Sequence, residues 1–94
     1  EKPSPGAVLE INSVHPLNAE IASFLIDPAA SVCEASLSQI RLPADAAVMM
    51  IVRGSELVAA RGQTVLMPGD HVYVFFRPVD RHYIELLFGR SENI

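Results

Sequence analysis

Two very short turns between apolar runs constrain the fold of this chain more than any other feature of its sequence. Gly54-Ser55 separates an apolar run at residues 48–52 from a second run at 56–60, and glycine at the first position of a two-residue loop suits a type II′ turn. Met67-Pro68-Gly69-Asp70 is the second turn, because proline presets φ and glycine supplies a positive φ. Such short connections join antiparallel strands, whereas parallel strands need a long crossover. The sequence therefore predicts a mainly antiparallel sheet.

Three further segments have the pattern of strands. Residues 8–14 alternate between apolar and polar, and residues 20–26 form a short apolar run that is also compatible with a helix. Residues 71–77 alternate most regularly, with one face made of Val72, Val74 and Phe76 and the other of His71, Tyr73, Phe75 and Arg77. If the first face meets the helices, the second exposes aromatic rings. Tyr73 and Phe75 are therefore our candidate dimer surface.

Two segments have helical spacing. Residues 34–40 carry apolar side chains at such spacing ahead of Pro43, and residues 80–88 place Ile84, Leu87 and Phe88 on one face before Gly89, a helix stop. Together with the strand candidates, including a short one at 64–66, they predict an α+β fold. We expect a small, mainly antiparallel sheet of four to five strands with two short helices.

At 94 residues, half of them hydrophobic, the chain can bury one modest core, which Met49 and Met50 are expected to help fill. We expect a linker at residues 1–7, a single domain at residues 8–90 and a loose tail at residues 91–94. The first residues resemble neither a signal peptide nor a transit peptide and include no initiator methionine. We therefore expect a piece of a longer protein.

Several kinds of chemistry are disfavoured by composition and spacing. With 7 Lys+Arg against 11 Asp+Glu, no basic surface is expected that could neutralise nucleic-acid phosphates. Cys33, the single cysteine, fits a reducing, cytoplasmic compartment, and neither it nor the histidines have the spacing of a metal site. No serine lies in a nucleophile motif, and no cluster of glycines precedes a helix as in phosphate-binding loops. We expect no enzyme, no metal and no resident cofactor.

A longer pattern runs through residues 20–89. Its pieces follow in a fixed order: Leu37, Ile40, Leu42-Pro43, the apolar run at 48–52, Arg53-Gly54, Arg61-Gly62, Thr64, Leu66 and Pro68-Gly69-Asp70. In this order and spacing they resemble the TrkA-C (RCK C-terminal) domain. Residues 85–89 are similar to the ending common in potassium/proton antiporters of the cation/proton antiporter-1 type. Two residues depart from the family pattern: Glu34 stands where a glycine often opens the helix, and Ala60 where a proline often precedes Arg-Gly.

The resemblance implies a function. It implies a non-catalytic regulatory domain that acts as a homodimer, attached to the transmembrane domain of a potassium/proton antiporter at the cytoplasmic face of the bacterial inner membrane. In some TrkA-C domains the residues that match Ile51 and Arg53 contact cyclic di-AMP across a dimer interface, which makes these two the ligand-binding candidates. Arg53 could instead be a solvated arginine, or an ion-pair partner of Glu56 or Glu85. The alternative function is a structural dimerisation module of a transporter, without a ligand.

Overall fold

The computed structural model describes residues 18–92, so the linker predicted at 1–7 and the strand predicted at 8–14 lie outside the described residues. The described part contains four strands: β1 (Glu20–Leu25), β2 (Ala47–Arg53), β3 (Glu56–Val58) and β4 (His71–Phe76). It also contains one α-helix, α1 (Arg81–Phe88), and two three-residue 3₁₀ helices, Leu37–Gln39 and Pro78–Asp80. The predicted α+β class is confirmed.

The four strands form one antiparallel sheet in the order β1-β4-β2-β3, as the short turns predicted. β4 is central, with Ala22 of β1 and Val48 of β2 both opposite Val74. Residues opposite each other share a face, and successive residues alternate between faces. One face of β4 is fully buried, and its side chains are Val72, Val74 and Phe76. The predicted alternation is therefore confirmed.

Both predicted turns occur. Arg53 pairs with Glu56 across the β2–β3 hairpin, and Gly54 has φ 64° as a type II′ turn requires at its first loop position. Ahead of β4, Gly69 has φ 88° and the Asp70 N–H donates to the Met67 carbonyl at 3.1 Å. Both features match the predicted type II turn.

The two adjacent methionines do not fill the core as expected. Both side chains are exposed, because the β2–β4 register shifts between Val48 and Met50. A bulge inserts one extra residue into a strand, which turns the following side chains to the other face. Met50 therefore lies opposite Tyr73, while Ile51 enters the core.

The core lies between one face of the sheet, α1 and the loops on that side. The rings of Phe24 in β1 and Phe88 in α1 stack with centroids 5.4 Å apart. Arg81 at the start of α1 bonds to Glu20 of β1 and to Glu85, and its guanidinium lies over the Phe76 ring. The ten buried apolar side chains are Phe24, Ile26, Val32, Ile51, Leu66, Val72, Val74, Phe76, Ile84 and Phe88.

The helix predicted at residues 34–40 is wrong in extent and type. The 3₁₀ helix Leu37–Gln39 is its helical part, and the preceding residues run alongside the segment before the Pro-Gly turn. The Glu34 N–H donates to the Leu66 carbonyl at 2.7 Å, and the Leu66 N–H donates to the Ala35 carbonyl at 3.0 Å. These non-local bonds compete with helical ones for the same backbone groups. The strand predicted at 64–66 is reduced to a single bridge between Ser36 and Val65.

Candidate functional site

Arg53, at the end of β2, is held by a buried carboxylate at the start of β4. The Nε of Arg53 donates to Asp70 Oδ1 at 2.8 Å and its Nη2 donates to Oδ2 at 2.9 Å. The same Nη2 donates to the Val65 carbonyl at 2.9 Å. Two parallel bonds between a guanidinium and a carboxylate fix the planar group in direction as well as in place.

The Pro-Gly turn holds Asp70 in this position. Its Oδ2 accepts a hydrogen bond from the Met67 N–H at 2.9 Å, as the side chain of an aspartate in a turn often does. The Ile26 N–H donates to the Asp70 carbonyl at 2.9 Å, and the Gly69 N–H donates to the Ile26 carbonyl at 2.8 Å. The turn therefore holds this carboxylate through bonds that do not involve Arg53.

Burial and hydrogen bonding act in opposite directions on Asp70, whose side chain is 0% exposed. Burial raises the pKa of its carboxyl, because the charged form loses its hydration. The bonds from Arg53 and from the Met67 N–H, with the nearby charges of Arg53 and His71, outweigh burial and hold that pKa below its ordinary value. The hydrogen bond to Asp70 likewise raises the pKa of the Arg53 guanidinium. Both groups are therefore charged at neutral pH.

Part of Arg53 remains available to a ligand. Its side chain is 42% exposed, and within residues 18–92 its Nη1 has no hydrogen-bond partner. Ile51, the other ligand candidate, is fully buried in the core. Its side chain is therefore not accessible to a ligand that contacts Arg53.

The ion-pair partner of Arg53 is a residue that the sequence did not suggest. The partners considered were Glu56 and Glu85, but Glu85 bonds to Arg81 in α1. Asp70 is close because Val52 lies opposite His71 in the β2–β4 ladder, which places the next residue of β2 beside the residue that precedes β4. The sequence does show that Asp70 directly follows the Pro-Gly turn. Only the order of the strands reveals that this position lies beside the end of β2.

The face of the sheet opposite the core, here called the open face, exposes apolar side chains on all four strands. Tyr73 and Phe75, the candidate dimer residues, lie near its centre, and Phe75 is 37% exposed. Around them lie Ile21, Leu25, Met50, Val52 and Leu57. The structure thus places both candidates on one apolar surface, away from the side chains of Ile51 and Arg53. Contiguous apolar surfaces of this kind are typical of interaction sites.

Other chemistry has little support in the described part of the chain. Among residues 18–92, no three His, Cys, Asp or Glu side chains come together in a group that could hold a metal ion. Burial, and then the charges of Glu34, Asp27 and Asp70, raise the pKa of the Cys33 thiol. A raised pKa disfavours the thiolate that a nucleophile or a metal ligand needs. In that same part no helix has the length and apolar character needed to cross a membrane.

Comparison with known proteins assigns the family. A family model of the TrkA-C domain matches residues 21–89, which is more than half of the chain. The chain belongs to the TrkA-C domain family. The match contains both Arg53 and Asp70 as well as the whole open face. TrkA-C domains are regulatory and generally not catalytic.

One solved structure, described as "Structure of RCK domain with cda", resembles this TrkA-C domain in fold. The TM-score is 0.56 at 18% sequence identity, over 81% of this chain and 100% of that chain. At this identity the likeness supports the fold alone. No curated protein matches the sequence.

One departure from the family pattern has a structural counterpart. Glu34 stands where TrkA-C sequences often have glycine, and its φ is 67°, in the left-handed region that glycine adopts without strain. The backbone therefore keeps a glycine-like conformation although the residue has changed.

Proposed function

We propose that this TrkA-C domain is a non-catalytic, ligand-sensing regulatory domain of a bacterial potassium/proton antiporter. In this proposal it lies at the cytoplasmic face of the inner membrane and acts as a homodimer on the attached transmembrane domain. The observation that carries the proposal is the fixed guanidinium of Arg53, whose Nη1 has no hydrogen-bond partner within residues 18–92. The antiporter context rests on the likeness of residues 85–89 to the ending common in such antiporters.

The proposed ligand carries phosphate, and cyclic di-AMP is the candidate that the family resemblance offers. A guanidinium held in place by a carboxylate can present its remaining nitrogen, here Nη1, to a phosphate without losing further side-chain freedom. The similar RCK domain is described as a structure with cda, which supports the test of a nucleotide ligand here. Under this proposal Arg53 contacts the phosphate, and Ile51, buried in the core, supports β2 at the site.

The proposed dimer forms through the open face, with Tyr73 and Phe75 near its centre. Burying that face in a dimer would remove apolar side chains from water, which is the main favourable term in association. A ligand that binds one dimer arrangement more tightly than another shifts the population between them, and it can do so only by that difference in affinity. The linker would then transmit the change in dimer arrangement to the transmembrane domain.

Ligand titration on folded variants is the direct test. Cyclic di-AMP at about 100 times its dissociation constant should stabilise the domain by about 2.7 kcal/mol, seen as a concentration-dependent rise in Tm. Arg53→Ala is a poor variant by itself, because leaving a buried carboxylate without its partner destabilises proteins by about 3–5 kcal/mol. Arg53→Lys keeps the positive charge beside Asp70 but loses the planar fork, so we expect at least about tenfold weaker binding.

The control is Arg41→Lys, which changes another exposed arginine in the same way. Its affinity should equal that of the unchanged chain in calorimetric titration. A nucleotide that binds the unchanged chain and Arg53→Lys equally well would remove Arg53 from the site. A stable dimer whose Tm no nucleotide or cation moves would favour the second candidate, a structural dimerisation module without a ligand, which the apolar open face supports equally well.

A further inference from the structure

The segment that follows α1 is held against the outer edge of β1. The Glu92 N–H donates to the Ser23 carbonyl at 2.7 Å, and Ser91 forms an antiparallel bridge with Phe24. The Glu92 side chain extends to β4, where its Oε2 lies 2.9 Å and its Oε1 3.1 Å from His71 Nδ1. This segment is therefore attached to the sheet by one backbone pairing and by one pair of side chains.

The His71–Glu92 pair differs from the other ion pairs in the described part of the chain. Every other pair within residues 18–92 joins an arginine to an aspartate or a glutamate. Arginine stays protonated and carboxylates ordinarily stay ionised above about pH 5, whereas an imidazole ordinarily loses its proton at about pH 6.5. A neutral imidazole can still donate through Nδ1, but that hydrogen bond lacks the charge on its donor. The contact is therefore an ion pair only while His71 is protonated.

Apolar side chains flank His71 on the two neighbouring strands. Leu25 of β1 and Val52 of β2 lie opposite it, and the next side chain of β4 on the same face is Tyr73, a phenol that ordinarily ionises at about pH 10. The Glu92 carboxylate faces it from the segment after α1. The side chains of His71 and Glu92 are 41% and 23% exposed, so water can deliver and remove the proton.

Asp70 is the other carboxylate near His71, which it directly precedes in the chain. Both of its oxygens accept hydrogen bonds from Arg53, and one also accepts the bond from the Met67 N–H. None of the Asp70 side chain is exposed. Glu92, and not Asp70, is therefore the partner that can leave when His71 loses its proton.

We propose that the His71–Glu92 pair is a pH-sensitive contact, which holds the segment after α1 on β1 while His71 is protonated and releases it as pH rises. The ion pair exists only in the docked segment, so by linkage protonation favours docking. Its contribution is present at about pH 5–6 and is lost as pH rises through the range in which an imidazole gives up its proton. Release removes one wall of a groove of about 390 Å³ that this segment forms with Ile21, Ser23 and Tyr73. The contact needs neither the proposed ligand nor the proposed dimer.

Exchange of the Glu92 amide with water, followed by NMR at about pH 5.5 and about pH 8, tests the contact. This amide is protected only while it is bonded to Ser23, and its protection factor corrects for the direct effect of pH on exchange. Partly exposed ion pairs contribute little, so we expect the protection factor to fall about two- to fivefold from the lower to the higher pH. Glu92→Gln keeps the amide and the shape of the side chain but removes the charge, and His71→Gln removes the proton site. In both variants the protection factor should be the same at the two pH values.

His82→Gln is the matched control, because it removes an exposed imidazole of α1 and should leave the fall with pH intact. The Val74 amide in β4 exchanges only through larger openings, so it distinguishes release of the segment from unfolding.

A protection factor of the unchanged chain that is equal at the two pH values would overturn the proposal. So would a fall of the same size in Glu92→Gln, because another group would then be titrating. The pair lies within one chain, so a fall that disappears on dilution would also overturn it, since the proton would then act between copies. Sedimentation of the same samples gives the oligomeric state separately, so failure of this contact is distinguishable from failure of the proposed dimer.

Discussion

Two acidic residues, Glu34 and Asp70, occupy environments that run against their ordinary preferences. Glu34 has a left-handed backbone, in which the Cβ of a non-glycine residue approaches the following carbonyl oxygen. Asp70 is a carboxylate buried without exposure to water. Each is held by bonds from elsewhere in the fold, Glu34 by the Leu66 carbonyl and Asp70 by Arg53 and Met67. The surrounding fold therefore imposes the left-handed backbone of Glu34 and the burial of the Asp70 carboxylate.

Replacing Glu34 by glycine should stabilise the domain. Glycine adopts positive φ freely, and a left-handed conformation costs another residue about 1–2 kcal/mol, part of which is offset by the greater freedom of unfolded glycine. We expect Glu34→Gly to raise the free energy of unfolding by about 1 kcal/mol, measured by urea denaturation. Glu34→Ala is the matched control, because it removes the carboxylate but keeps the Cβ. If both variants gain equally, charge rather than backbone strain is the cause.

The Arg53–Asp70 pair should make stability depend on acid. The folded state holds the pKa of Asp70 below its ordinary value, so on acidification the unfolded chain takes up this proton first. The contribution is fully present above the ordinary aspartate pKa of about 3.9 and is lost as pH falls through the lowered pKa of the folded state. We expect Asp70→Asn to lower the free energy of unfolding by about 2 kcal/mol at pH 7, and by progressively less towards pH 2.

Urea denaturation of both chains across this pH range measures the effect. Asp45→Asn is the control. Asp45 is an exposed carboxylate whose contact with the exposed Arg77, at 3.5 Å, should contribute little to the free energy of unfolding at either pH. If Asp70→Asn lowers the free energy of unfolding as much at pH 2 as at pH 7, the substitution acts through packing and not through the charge of the carboxylate.

At the scale of elements, α1 is attached to the sheet by one apolar face and one arginine. Ile84 and Phe88 are buried, Phe88 stacks on Phe24, and Arg81 connects the helix to Glu20. The helix has eight residues, too few to be stable without such contacts. Its formation therefore depends on packing against β1 and β4.

Truncating the buried face of α1 should be costly, and truncating the exposed face should not. Ile84→Ala removes a fully buried side chain and should lower the free energy of unfolding by about 2–5 kcal/mol. Leu86→Ala, in the same helix but 62% exposed, should change it by about 0.5 kcal/mol or less. Chemical denaturation monitored by circular dichroism would measure the free energy of unfolding of both variants. Comparable losses in the two variants would mean that α1 packs through a different face.

At the scale of the whole molecule, residues 18–92 cover one side of the sheet and leave the other side open. The core, α1 and the Arg53–Asp70 pair belong to the covered side, whereas Tyr73 and Phe75 lie on the open face. The proposed ligand residues and the proposed dimer residues are therefore separable by mutation. A change on the open face should affect association and leave the site around Arg53 intact.

Phe75→Asp should weaken the proposed dimer without unfolding the monomer. It places a charge within the open face, where burial in a dimer would remove its hydration. We expect the dimer dissociation constant to rise at least about tenfold, measured by analytical ultracentrifugation, since burying an unpaired charge costs more than 1.4 kcal/mol. Val79→Asp is the control, because Val79 is 74% exposed and lies outside the open face. Association that Phe75→Asp leaves unchanged would exclude this face as the dimer surface.

The sequence by itself determined the elements that depend on local chemistry. Gly54, Gly69 and Pro68 specified the turns, because few residues adopt the required backbone angles. The alternation at residues 71–77 specified which side of β4 is buried, and Gly89 marked the end of α1, because side-chain period and capping are local properties. The order of small motifs was sufficient to indicate the TrkA-C family.

Only the tertiary structure decided features that depend on distant partners. Glu34 and Ala35 lost their predicted helix to backbone bonds with Leu66. Met49 and Met50 were exposed by a bulge against β4, and Asp70 rather than a glutamate paired with Arg53. No local pattern encodes these outcomes, because each is set by which strands become neighbours and in what register. Strand order is a property of the assembled sheet, and a shift of one residue exchanges its two faces.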